Sequence, residues 1–290
     1  AMRPGPVRDR VFARALTFAE RAADPKVGAS NPTLAASLYD RAAAAASSPE
    51  QQVAWRTSRA RLARAQHDFN AEVRLYQEVL SDPKLRPVVT RAEDGTNSTA
   101  AAVAEDAIKR RIHHDKSAYA PFKLAAASAF DAARKTNDPS RILEVARTYP
   151  NASVAPQAML VAAGTYEAAG KYRPAAQVLS QLYRKYPDPA ERARVLEAQA
   201  RNYLHLPDGV DVAIGRLNEG AKLPGGPQLS GALTLPDGTT IENVTFAAAA
   251  ELLQKYSARL ASAGLPHFNL PISGVPKKQK PNSPPHKFQK

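Results

Sequence analysis

The stretch "GKYRPAAQVLSQLYRKYP", residues 170–187, decides how the chain is read. Extended backwards, it is preceded by Met159 and, three, four and seven residues after it, Ala162, Ala163 and Tyr166. That spacing puts the four residues on one face of a helix. Gly170 then permits a tight left-handed turn at little cost. Pro174 falls in the first turn of a second helix, where its missing N–H does no harm. Ala175 is small enough to let the two helices approach, Leu179 and Leu182 continue the buried stripe, and Pro187 stops the helix.

The same offsets recur elsewhere. Counted from Trp55 they meet Leu62, Ala71, Leu75 and Pro83, with Arg59 and Glu78 as misfits, so this copy is degenerate. Trp55 and Met159 are 104 residues apart, close to three repeats of about 34. A third copy runs through Leu196, Ala200, Tyr203, Ala213 and Leu217. Ala35, Tyr39 and Ala42 match the second helix of another. Tyr149-Pro150 repeats the ending Tyr186-Pro187. At this spacing Trp55, Tyr166, Leu179 and Tyr203 are expected in the core.

Cap signals divide the chain the same way. "SPEQ" (48–51) offers Ser48 as N-cap, Pro49 at the first helical position and Gln51 to close a capping box. "DPAE" (188–191), "NP" (31–32) and "DP" (138–139) are further start signals. Twelve helices are expected, at about 6–23, 32–47, 49–66, 69–81, 99–113, 117–135, 139–149, 155–169, 173–186, 189–204, 209–220 and 246–263. Residues 84–98, with "RAEDGTNST", read as an irregular loop. Around Pro236-Asp237-Gly238 two β-prone runs signal a hairpin. The last helix places Phe246, Ala249, Leu252, Leu253, Tyr256 and Leu260 on one face, as a capping helix would.

Together these residues resemble the tetratricopeptide repeat, a helix–turn–helix unit. The resemblance covers roughly residues 30–220 and is strongest over 156–187. The Tyr-Pro endings and the linker "YPNASVAPQA" are similar to repeat proteins of the bacterial cell envelope, among them outer-membrane assembly lipoproteins and the Tol-Pal coordinator family. The resemblance implies an all-α fold, a right-handed α-solenoid of helical hairpins, to which the turn signal at 236–238 adds one small β-hairpin near the C-terminus. The chain is then expected to divide into a solenoid over 1–223, a hairpin and capping helix over 224–265, and a basic Pro-rich tail over 266–290, the last two read from the residues themselves. The resemblance also favours a location in the bacterial envelope, on the periplasmic side, over the cytoplasm, the absence of cysteine being compatible with both. In such arrays the first helices line a concave groove that binds extended peptides. The matched registers assign Arg56 and Ala60, then Gln157, Leu160 and Glu167, then Arg194, Glu197 and Arg201 to that face.

Composition narrows the chemistry. Hydrophobic residues make up 44% of the 290, with Ala prominent and aromatics at 7%, which suits closely packed helices better than a sheet sandwich. No apolar run reaches the ~18 residues of a membrane span. The opening "AMRPGP" reads as an artificial junction, so the chain reads as a fragment of a longer protein. There is no cysteine, which excludes disulfides, thiolate metal sites and thiol nucleophiles. The sequence contains no phosphate loop, no GxSxG, no HExxH and no EF-hand loop. His113-His114-Asp115 is its one histidine cluster, and adjacent helical residues point about 100° apart, so a charged helix end is expected there. No catalytic residue, cofactor or metal site is expected.

The net charge of +13 favours anionic partners. Lys277, Lys278, Lys280, Lys287 and Lys290 stand in a tail without acids. Three readings follow. The first is a non-enzymatic scaffold whose groove binds another protein's extended or acidic segment. The second is an electrostatic binder of nucleic acid, an anionic polymer or a membrane surface. The third is a spacer within a larger enzyme or receptor.

Overall fold

A computed structural model describes residues 5–24, 26, 31–187 and 189–262. The tail lysines and Asp188, the cap expected for "DPAE", lie outside the described residues. Twelve helices occur among those described, each within a few residues of its expected place: α1 Pro6–Ala23, α2 Pro32–Ala45, α3 Pro49–Ala65, α4 Phe69–Ser81, α5 Ala100–His114, α6 Ala120–Lys135, α7 Pro139–Thr148, α8 Val154–Ala168, α9 Tyr172–Lys185, α10 Pro189–Tyr203, α11 Gly209–Ala221 and α12 Phe246–Ser262. None is long and apolar enough to cross a membrane.

The caps form for local reasons. Ser48 and Gln51 make the reciprocal capping box ahead of α3. The Asn31 side chain accepts from the Leu34 N–H at 2.9 Å, and that of Asp138 from the Ser140 N–H at 2.9 Å. Gly170 has φ +70°, the left-handed value expected of a turn glycine.

The chain divides into two compact units, residues 1–169 and 170–290. In the first, neighbouring helices pack in series from α1 to α5, and again from α6 to α8, while α4 also touches α7. Phe12, Trp55, Tyr76, Leu80, Ile108 and Tyr119 share its main core. The two misfits of the degenerate repeat are accounted for by ion pairs outside that core: Glu78 with Arg56 at 3.0 Å, and Arg59 with Asp40.

In the second unit α9 packs on α10, α10 on α11 and α11 on α12. Residues 224–262, set apart in the sequence reading, share one core with α10 and α11: Leu229, Leu233 and Phe246 pack with Leu196 and Leu217. Within this segment β3 (Leu233–Thr234) pairs antiparallel with β4 (Thr240–Ile241).

One expectation is corrected. Residues 84–98 are not irregular throughout: β1 (Val89–Arg91) pairs antiparallel with β2 (Asn97–Thr99). The Asp94 carboxylate accepts from the Thr96 N–H at 2.9 Å and its hydroxyl at 2.7 Å, and Gly95 takes φ +84°. This is the Asp-Gly turn chemistry that marked 237–238. A 3-10 turn, Ser117–Tyr119, also precedes α6 where one continuous helix was expected.

Candidate partner-binding surfaces

The residues assigned to a groove fall into different environments. Arg56 is half-buried against its own neighbours. Its guanidinium lies 4.4 Å from the Trp55 ring centre, donates to Glu78 at 3.0 Å and to the Gln52 carbonyl at 3.1 Å. Ala60, in the same register, is fully buried. On α8, Gln157 is exposed, while Leu160 and Glu167 are half-buried. On α10, Arg194 is exposed and pairs with Glu191 at 3.3 Å.

Glu197 is only 3% exposed. Its carboxylate accepts from both the backbone N–H and the hydroxyl of Ser230 at 2.7 Å each, and pairs with Arg201 at 3.5 Å. A Cβ on Gly231 would stand 3.2 Å from the same carboxylate. The row 194, 197, 201 is therefore covered, at its middle residue, by the chain's own segment around Ser230. The polar spacing of that row was visible in the sequence. The covering segment was not, because it arrives from 33 residues away.

His113 and His114 end α5 with ring centres 5.5 Å apart. Among the described residues no group of three or more His, Cys, Asp or Glu is placed so that it could hold a metal ion. Beside them Arg111 turns inward instead. It donates to the buried Glu72 carboxylate at 2.9 Å and lies 3.7 Å from the Phe69 ring centre.

A cleft of about 380 Å³ opens between α6 and α7 in the first unit. Ala129, Ala132 and Ala133 form one wall, and Glu144, Val145 and Tyr149 lie on the other. Sequence reading missed it. Its signal was the run of small side chains on α6, which leaves room beside a neighbouring helix. The α7 wall is held from outside. Gln77 of α4 donates to the Thr148 carbonyl at 2.6 Å. Arg86 donates to both Glu144 carboxylate oxygens, one at 3.1 Å, and to the Thr148 hydroxyl at 3.2 Å. Its hydrogen bond holds the Glu144 carboxyl below the usual carboxylate range. A wall fixed in this way loses little freedom when a ligand enters.

The chain matches no family model, no curated protein and no solved structure.

Proposed function

We propose that this chain is a non-enzymatic scaffold of tetratricopeptide-like helical hairpins, which together build a right-handed α-solenoid, and that it captures a segment of another protein. The observation that carries the reading is the serial packing of sequence-adjacent helices at two of the registers that resemble the repeat. The degenerate copy lies on the packed pair α3 and α4, and the third copy on the packed pair α10 and α11. Ala42, Ala60, Ala175, Ala200 and Ala213, all small and all buried, suit the close helix approach such hairpins need.

Within this reading the cleft between α6 and α7 is the favoured seat for the partner's segment. Its alanine wall accepts apolar side chains, and Arg141, Glu144 and Thr148 at its edge offer polar contacts to an extended chain. Bacterial envelope proteins of this repeat type supply the analogy for location. The test is affinity capture from source lysate, with the intact chain and an Ala129→Arg, Ala132→Arg double variant as baits. Loss of one specific protein from the variant is expected. Equal recovery of every protein by both baits would sink the assignment of the cleft.

A further inference from the structure

Helix α1 carries two carboxylates near its ends and four arginines, and the two signs are sorted. Asp9 accepts from the Gln51 side chain at 2.9 Å, and Glu20 accepts from the Ser58 hydroxyl at 2.6 Å. Both acids are thus engaged by α3. Arg8 is turned toward the C-terminal end of α2, where it donates to the Ala45 carbonyl at 2.8 Å. The other three arginines, Arg10, Arg14 and Arg21, are exposed. Among the described residues none of the three pairs with a carboxylate, and Arg10 donates only to the Pro6 carbonyl of its own turn at 3.4 Å.

These arginines share their face with two exposed apolar side chains, Val7 at 65% and Phe18 at 54%. The order Val7, Arg10, Arg14, Phe18, Arg21 advances by three or four residues at each step, so all five stand on one stripe. The opposite face buries Phe12, Ala15 and Ala19. At 1.5 Å per residue the stripe is about 21 Å long.

We propose that this stripe docks the protein on an anionic phospholipid bilayer, with Val7 and Phe18 inserted and the arginines on lipid phosphates. A bilayer needs no shaped pocket, and the outer face of a single helix is convex. Arginine forks match phosphate oxygens, and their aliphatic stems lie along the apolar boundary. Exposed apolar groups among cations are the pattern of helices that lie in the membrane interface. Against duplex DNA, Val7 and Phe18 would meet phosphates and find little apolar surface to cover. The proposal does not depend on the scaffold reading.

The test is co-sedimentation of the intact chain with vesicles of phosphatidylglycerol and phosphatidylcholine, and with phosphatidylcholine alone. Binding is expected only to the anionic vesicles. Each arginine near an anionic surface contributes about fivefold in partitioning. An Arg10→Gln, Arg14→Gln, Arg21→Gln variant should therefore bind about 100-fold more weakly, and Phe18→Ser about 10-fold more weakly. Circular dichroism establishes that these surface variants remain helical. A third variant replaces Lys277, Lys278, Lys280, Lys287 and Lys290 with Gln. The proposal is overturned if the parent chain ignores anionic vesicles, or if the stripe variants bind like the parent. It is equally overturned if only the tail variant loses binding, or if the stripe variants lose affinity for a duplex oligonucleotide while keeping it for vesicles.

Discussion

Glu197 on α10 accepts two hydrogen bonds of 2.7 Å from one residue, Ser230, through its backbone N–H and its hydroxyl. This clamp joins a helix to a segment that has little regular structure of its own. It places Leu229 and Leu233 against Leu196 in the second unit's core. A carboxylate this buried holds its place only when its oxygens are satisfied.

Replacing Glu197 with Ala removes the acceptor for Ser230 and leaves Arg201 without this carboxylate. The expected cost is about 3 kcal/mol. Glu197→Gln keeps one oxygen acceptor and should cost about 1 kcal/mol. Hydrogen exchange at the Ser230 amide reads the clamp directly. An amide equally protected in Glu197→Ala would contradict this account.

Gly220, in the last turn of α11, gives a prediction opposite to helix propensity. Alanine is intrinsically favoured over glycine in a helix by about 1 kcal/mol. Here a Cβ would stand 2.1 Å from Cδ1 of the fully buried Phe246 ring. Gly220→Ala should therefore destabilise the chain by about 1–3 kcal/mol in urea titrations. In a double-mutant cycle with Phe246→Leu the costs should be less than additive, because the smaller side chain makes room. Strict additivity would mean that the ring is not the obstacle.

The Glu72 side chain is 4% exposed, with Arg111 at 2.9 Å and Arg64 at 4.0 Å. Removing Arg111 should cost about 3–5 kcal/mol, because it leaves a buried carboxylate without its nearest partner. Adding Glu72→Gln to Arg111→Ala should recover part of that loss. Chemical denaturation followed by Trp55 fluorescence measures all three proteins. A double variant less stable than Arg111→Ala would refute the argument.

Burial, aided by the nearby Glu20 carboxylate, pushes the Tyr39 hydroxyl up to about 12. The folded state then holds this proton above pH 10 while the unfolded chain releases it. The contribution is fully present below pH 10 and is lost between pH 10 and 12, at roughly 1.4 kcal/mol per pH unit. Tyr39→Phe should flatten this part of the alkaline limb. An unchanged limb in the variant would show that Tyr39 does not titrate late.

Local chemistry made the helices legible. Ser48 with Gln51, Asn31, Asp138 and Gly170 act on N–H groups or turns within a few residues, so composition and order alone located their elements. The Asp94-Gly95 turn was equally local, yet only its twin at 237–238 was read as a strand pair. Its flanks, Val89–Arg91 and Asn97–Thr99, are short and more than half polar, and they carry no run of apolar alternation.

By itself, then, the sequence determined the twelve helices, their main caps and the charge of the chain, because propensity, spacing and capping act over one or two turns. Only tertiary structure decided that Glu197 faces Ser230 rather than an open groove. It alone held the α7 wall beside the α6 alanines through Arg86 and Gln77, and turned the acids of α1 toward α3 while leaving three arginines outside. Each of these depends on which residues meet across tens of positions, and that is fixed by packing and by the burial of polar groups rather than by any local pattern.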